Sequence, residues 1–226
     1  MSRPNPNDYD VLTFDCYGTL IDWGSGMVDF LQPLLLAHDA HVVDDFLLEF
    51  FADKEPQAQK DGRLYRDVLA EVLTQLGERL AFTPSEEALT GFADSVGDWP
   101  VFTDTVASLK RLAERFDLVV VSNVDNDLFA RTAERLEVPF RHVVTAEDVG
   151  AYKPDRRMFD AAREALGDAR ILHVAQSLFH DIEPASAQGL DTAWIRRERE
   201  AARRVEVAPN WRYESLAEFA GDILGD

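Results

Sequence analysis

"TFDCYGTLID", residues 13–22, carries an apolar run that begins at Tyr9 onto a carboxylate, Asp15, then into a Gly-Thr turn with Tyr17 just before it. A short strand buried on both faces and closed by an acid reads as the first strand of a parallel sheet, because such sheets collect their ligands at the carboxyl ends of their strands. Working outward, similar runs rich in Val and Ile recur at 117–122 ("DLVVVS"), 141–145 ("RHVVT"), 170–175 ("RILHVA") and 191–195 ("DTAWI"). Helical spacing lies between them. Val106, Leu109, Leu112, Ala113 and Phe116 share one face of 104–116, and Met158, Phe159, Ala162, Ala165 and Leu166 share one face of 155–166. Strand–helix alternation with right-handed crossovers predicts an α/β fold, a doubly wound parallel-sheet (Rossmann-like) core.

Residues 22–98 break the alternation. They predict helices near 25–37, 44–53, 62–80 and 85–97 with no strand, which is a helical cap inserted after the first strand. The core is then 1–21 and 99–226, and the cap is 22–98. The run 196–206, "RREREAARRVE", alternates in sign and reads as a solvated helix or loop.

The 226 residues are 46% hydrophobic and 29% charged, with a net charge of −19, and only four of the 23 basic residues are Lys. This acidity argues against nucleic-acid and anionic-membrane partners. It suits either an ordinary solvated coat or a high-salt habitat. No apolar run approaches the ~20 residues of a membrane span. The first ten residues, "MSRPNPNDYD", show no apolar signal core, and one Cys excludes an internal disulfide, so the cytoplasm is the expected compartment.

Four groups fall at the predicted strand ends: Asp15, the pair Ser122-Asn123, Lys153 in "AYKPD", and Gln176-Ser177 with Asp181. Each alone is an ordinary turn or cap residue. The ordered set resembles the four motifs of the haloacid dehalogenase superfamily of hydrolases: "FDCYGTLID", "VVVSN", "YKP" and "HVAQSLFHD". The resemblance implies that Asp15 is a nucleophile. Phosphatases of the superfamily use a second acid two residues after the nucleophile and a fourth-motif acid that holds Mg²⁺. Here Tyr17 and Gln176 stand at those positions. A neutral amide beside one carboxylate is a poor magnesium site. The expectation is chemistry without metal or other cofactor.

The pattern resembles the 2-haloacid dehalogenase subgroup, in which the Asp displaces halide from carbon. On that resemblance Lys153 keeps Asp15 ionised, Asp181 activates or orients the water that hydrolyses the ester, and Tyr17, Thr19, Ser122, Asn123 and Ser177 bind a small carboxylate substrate. A homodimer is also what the resemblance implies. The subgroup's halide-binding Arg has no counterpart: there is no Arg between Asp22 and Lys60, and the first ones after it are Arg63 and Arg66. A Tyr after the third motif is Phe159, and "SSN" in the fourth is Gln176-Ser177-Leu178. "LYRDVL", "DWPVFTDT" and "TAEDVGAYKP" resemble instead the azetidine-2-carboxylate hydrolases of the subgroup, whose leaving group is a ring nitrogen. Glu49, Asp53, Glu55 and Gln57 are candidates to recognise an amine. Halide and nitrogen remain open as leaving groups. Two further alternatives are a phosphatase with another metal ligand and a non-enzymatic binding module. His173 reads as a core histidine, His180 as a neighbour of the site, Cys16 as packing, and Trp23 and Trp99 as pocket lining or interdomain packing.

Overall fold

The structure, a computed structural model, describes residues 3–59, 62–197 and 207–225. β1 (Val11–Phe14) is followed by α1 (Trp23–Ala37), α2 (Asp44–Ala58), α3 (Tyr65–Leu80) and α4 (Glu86–Ser95). Alternation then resumes with α5 (Thr105–Ala113), β2 (Asp117–Ser122), α6 (Asn126–Leu136), β3 (His142–Thr145), α7 (Ala146–Val149), α8 (Arg156–Leu166) and β4 (Ile171–Ala175). A π-helical turn (Leu178–Ile182), α9 (Glu183–Ala187), β5 (Asp191–Ile195), β6 (Trp211–Tyr213) and α10 (Leu216–Leu224) complete the chain.

All strands are parallel, in the order β3-β2-β1-β4-β5-β6, the doubly wound arrangement. β1 lies between β2 and β4, and its Phe14 is level with Val120 on one side and Val174 on the other. Asp15, Ser122 and Gln176 therefore leave the sheet along one edge. The order reverses at β1, and a crevice opens at such a switch point because the crossovers on either side lead to opposite faces of the sheet.

The turn after β1 needs glycine. Gly18 sits at φ +102°, donates its N–H to Ile21 O at 2.8 Å, and has Gln176 Oε1 3.1 Å from where a Cβ would stand. Ile21 bridges Val101, and Asp22 N–H meets Pro100 O at 2.8 Å, so the strands of chain entering and leaving the four helices run side by side. These helices share one continuous core with the sheet, in which Leu31, Leu69, Val72, Leu12 and Phe14 are fully buried.

Three features differ from the sequence expectation. α2 runs on to Ala58 through Pro56 rather than stopping at 53. α3 starts at Tyr65 rather than 62, because the buried Asp125 carboxylate on the sheet side receives the Tyr65 and Arg66 amides at 2.6 and 2.9 Å. This is a helix cap supplied from across the fold, with no local signature. β6 and α10 were not anticipated; a three-residue edge strand is too short to show a period. The charged run from residue 198 to 206 lies outside the described residues.

A Cβ on Gly26 would fall 2.3 Å from the Trp99 ring, which closes the return from α4 to the sheet. Gly26→Ala must displace that indole. The expected cost is about 1–3 kcal/mol, which for a chain of this size is a fall in Tm of roughly 2–12 °C; scanning calorimetry measures it.

Candidate active site

The chain positions a cation between two acids at the switch point. Lys153 Nζ is 2.7 Å from Asp15 Oδ1, 2.7 Å from Asp181 Oδ1 and 2.8 Å from Val121 O, so each of its three N–H bonds has an acceptor. Lys153 is 2% exposed, Asp15 7% and Asp181 1%. Asn123 fixes the lysine main chain from both sides: its Oδ1 accepts from Lys153 N at 2.6 Å and its Nδ2 donates to Lys153 O at 3.1 Å. Thr19 donates to Asp15 Oδ2 at 2.6 Å while accepting from Gln176 N–H at 2.8 Å.

Asp181 is carried on the π-helical turn, and its Oδ1 also meets His173 Nε2 at 3.1 Å. His173 Nδ1 lies 2.9 Å from the hydroxyl of Thr13, its register partner on β1. At this site two buried oxygens have no hydrogen-bond partner among the described residues: Ser122 Oγ and Asp181 Oδ2. Burial raises the Asp15 carboxyl above the ordinary range, and the nearby Asp181 charge adds to this against the opposing pull of Lys153. Burial alone would raise Asp181 as well, yet Lys153 and the His173 hydrogen bond bring it below the ordinary range. Burial disfavours the Lys153 ammonium, but the two carboxylates raise it above its usual value.

Above these groups lies a cavity of about 160 Å³, enough for a small molecule. Its sheet side presents Asp15, Tyr17, Ser122, Asn123, Lys153 and Asp181. Its helical side is aromatic and aliphatic, with Trp23, Met27, Phe51, Tyr65, Leu69 and Trp99. One acid interrupts that apolar wall: Glu55, whose Oε1 accepts the Tyr65 hydroxyl at 2.7 Å. No arginine is among the described lining residues. Arg63 pairs with Glu71, and Arg66 with Asp127 and Asp125.

The structure thus brings Asp15, Lys153, Asp181, Ser122, Tyr17, Asn123 and Ser177 around one cavity. One expectation needs correction. Thr19 is fully buried beside Asp15 and does not line the cavity; its hydroxyl holds the carboxylate instead of facing a ligand. The Asn123 side-chain amide lines the cavity and also holds the Lys153 main chain, through one N–H and its oxygen. Tyr17 contributes its ring, since its hydroxyl pairs with Thr132 on α6 at 2.9 Å. Ser177 lines the wall while its Oγ accepts the His180 N–H. Of the four amine-binding candidates only Glu55 lines the cavity; Glu49, Asp53 and Gln57 are exposed on other faces of α2. Trp23 and Trp99 both line it, and Trp99 also packs edge-on against Tyr17 at 5.8 Å. Cys16 is buried packing, its thiol pushed up by burial. Sequence reasoning missed the His173–Asp181 bond. The signal available was an imidazole in an otherwise apolar strand, eight residues before a strand-end acid.

The donor set does not suit a divalent ion. The position between the two carboxylates is held by an ammonium, the nearest other polar side chain at the β4 exit is the Gln176 amide, and among the described residues no group of three Asp, Glu, His or Cys side chains is arranged to ligate a metal. No described helix is long and apolar enough to cross a membrane.

The doubly wound sheet carries an aspartate just past the end of its first strand, hydrogen-bonded to a lysine from a later crossover. The chain belongs to the haloacid dehalogenase-like hydrolase family, whose profile it matches over residues 9–189. It is 26% identical over 163 residues to an (S)-2-haloacid dehalogenase of Pseudomonas putida, covering 70% of each chain. In fold it is similar to the L-2-haloacid dehalogenase of Xanthobacter autotrophicus solved with chloropropionic acid covalently bound (18% identity, TM-score 0.82, 96% of this chain and 99% of that one). It is also similar to a Bacillus subtilis HAD-hydrolase bound to magnesium (19% identity, TM-score 0.80, 96% and 99%).

Removing the cation between the acids tests the electrostatics of the site. Lys153→Met leaves two buried carboxylates unpaired, and the expected loss of stability at neutral pH is about 3–5 kcal/mol. Without the ammonium both carboxyls have folded pKa values above their unfolded ones. The folded state then binds more protons, and the variant regains stability as pH falls toward about 4. Urea unfolding of the variant from pH 4 to 8 should show stability dropping as pH rises, and a flat profile would contradict the pairing.

Proposed function

We propose that this protein hydrolyses a small carboxylate substrate at the carbon next to its carboxyl group, through an ester on Asp15 and without a metal. One observation carries the reading: Lys153 Nζ holds the Asp15 carboxylate at the floor of a small, mostly apolar cavity. The ammonium favours the ionised form against the burial that opposes it, and a poorly hydrated carboxylate suits attack on carbon. The relatives named (S)-2-haloacid dehalogenase support displacement at such a carbon.

In this mechanism Ser122 Oγ binds the substrate carboxylate from the sheet side, and Lys153 offsets its charge through space. Asp15 attacks the adjacent carbon, and the leaving group departs on the opposite side, toward the wall built by α2 and α3. Water then attacks the Asp15 carbonyl carbon and Asp181 takes its proton. The acyl–oxygen bond breaks and the released alkoxide regains a proton. Asp15 keeps the water oxygen in place of the one it gave to the product.

The leaving-group wall bears on the choice between halide and nitrogen. Among the described residues it offers no guanidinium for a halide but does offer the Glu55 carboxylate with Tyr65. That pairing favours a protonated amine, as in opening a small cyclic amino acid such as azetidine-2-carboxylate. Dehalogenation is the second reading, favoured by the identity to the Pseudomonas enzyme. Phosphatase chemistry is disfavoured by the donor set described above, and a non-enzymatic role by the intact Asp15–Lys153–Asp181 cluster. The expected setting is the cytoplasm, with a homodimer as the form the resemblance implies.

Intact-protein mass spectrometry with 2-chloropropionate and with azetidine-2-carboxylate tests the reading. The wild type should form a transient adduct mapping to Asp15, equally with and without chelator, and Asp15→Asn should form none and turn over neither compound. The cyclic amino acid should show the higher kcat/KM. A haloacid preference with stoichiometric halide release would reassign the leaving group, and turnover lost to chelator and restored by Mg²⁺ would overturn the mechanism.

A further inference from the structure

The covalent reading above has two half-reactions, and the structure separates the residues that serve them. Asp15 is held by Thr19 and Lys153; Asp181 is held by His173 and Lys153. His173 does not line the cavity and is completely buried in β4. We infer that His173 is a positioning residue for ester hydrolysis alone: by fixing one oxygen of Asp181 it presents the other to the hydrolytic water.

The geometry carries this. An ionised Asp181 can only accept, so His173 Nε2 bears the hydrogen that it gives to Oδ1 at 3.1 Å. In that tautomer Nδ1 accepts from the Thr13 hydroxyl at 2.9 Å. The Phe159 ring packs edge-on against the imidazole at 5.2 Å and limits its rotation. Oδ1 of Asp181 thereby receives two donors, from His173 and from Lys153 at 2.7 Å, and the carboxyl plane cannot turn. Oδ2 is buried in a cavity-lining residue and accepts from no described group. It is the oxygen left to take a proton from water attacking the Asp15 carbonyl carbon. Asp181 has no part in the displacement step, where the attacking oxygen belongs to Asp15.

Lys153 cannot do this alone. Its ammonium is shared with Asp15 and Val121 O, and the Asp15 charge disappears once the ester forms. The His173 contact is independent of the state of Asp15, so it holds Asp181 unchanged between the two steps. The cross-strand pairing of Thr13 with His173 extends this support to β1, the strand that also delivers Asp15.

The inference rests on the covalent reading, and rapid-quench intact-protein mass spectrometry separates the two. The probes are 2-chloropropionate and azetidine-2-carboxylate. In His173→Leu, adduct formation on Asp15 should stay within about threefold of wild type, while its breakdown slows by roughly thirtyfold or more, a fraction of what a positioned base supplies. The adduct then accumulates as the main steady-state species. Thr13→Val keeps the imidazole but frees Nδ1; it should slow breakdown by about three- to tenfold and leave formation alone. It carries the test by itself if His173→Leu does not fold. Equal slowing of both steps, or unchanged breakdown in a folded variant, would overturn the role of His173. The absence of any Asp15 adduct, in the wild type as in the variants and with either probe, would instead overturn the covalent reading on which it rests.

Discussion

The ammonium of Lys153, set 2.7 Å from each of two buried carboxylates, is the interaction on which the rest of the site depends. Burying one carboxylate is costly, and burying two beside each other is untenable without a cation between them. The cluster still carries more negative than positive charge. Further oriented donors are the Thr19 hydroxyl on Asp15 and the His173 ring on Asp181. Because all three ammonium hydrogens are engaged, Lys153 acts on a ligand through its field more than through a direct bond. That leaves Ser122 Oγ as the sheet-side hydroxyl with no protein partner among the described residues.

The topology makes this arrangement inexpensive to hold. Asp15 and the His173–Asp181 pair leave adjacent strands, and Lys153 enters from the crossover between β3 and α8, fixed by Asn123 at the end of β2. The helices inserted after β1 then exclude water from above. Their docking relies on polar contacts as well as apolar ones, Asp125 capping α3 and the Tyr152 hydroxyl bonding to Arg63 O.

Net charge bears on which substrates reach the cavity. A protein at −19 repels a simple anion, although salt near 0.15 M screens such fields beyond about 8 Å. On the proposed reading a zwitterionic amino acid would approach without that penalty, its ammonium toward Glu55 and its carboxylate toward the lysine field.

The sequence by itself determined the sheet, the helical insertion and the residues at the strand ends. Five of the six strands fall within two residues of their apolar runs, because strands buried on both faces must be apolar throughout. Asp15, Ser122, Lys153 and Asp181 were legible because a parallel sheet brings its strand ends to one edge whatever the loops do. Tertiary structure alone decided which way each polar side chain turned. Thr19 and Asn123 have the chemistry of ligand-binding groups, yet they hold Asp15 and Lys153 because those partners come within hydrogen-bond range only after folding. Glu55 is one of several acids along α2, and only its rotation about the helix axis aims it into the cavity. His173 looks like core from its neighbours in sequence; its role comes from Thr13 and Asp181, 160 residues before and eight after it. Periodicity assigns a residue to a face, but a hydrogen bond needs a partner at a fixed distance, and only packing supplies that.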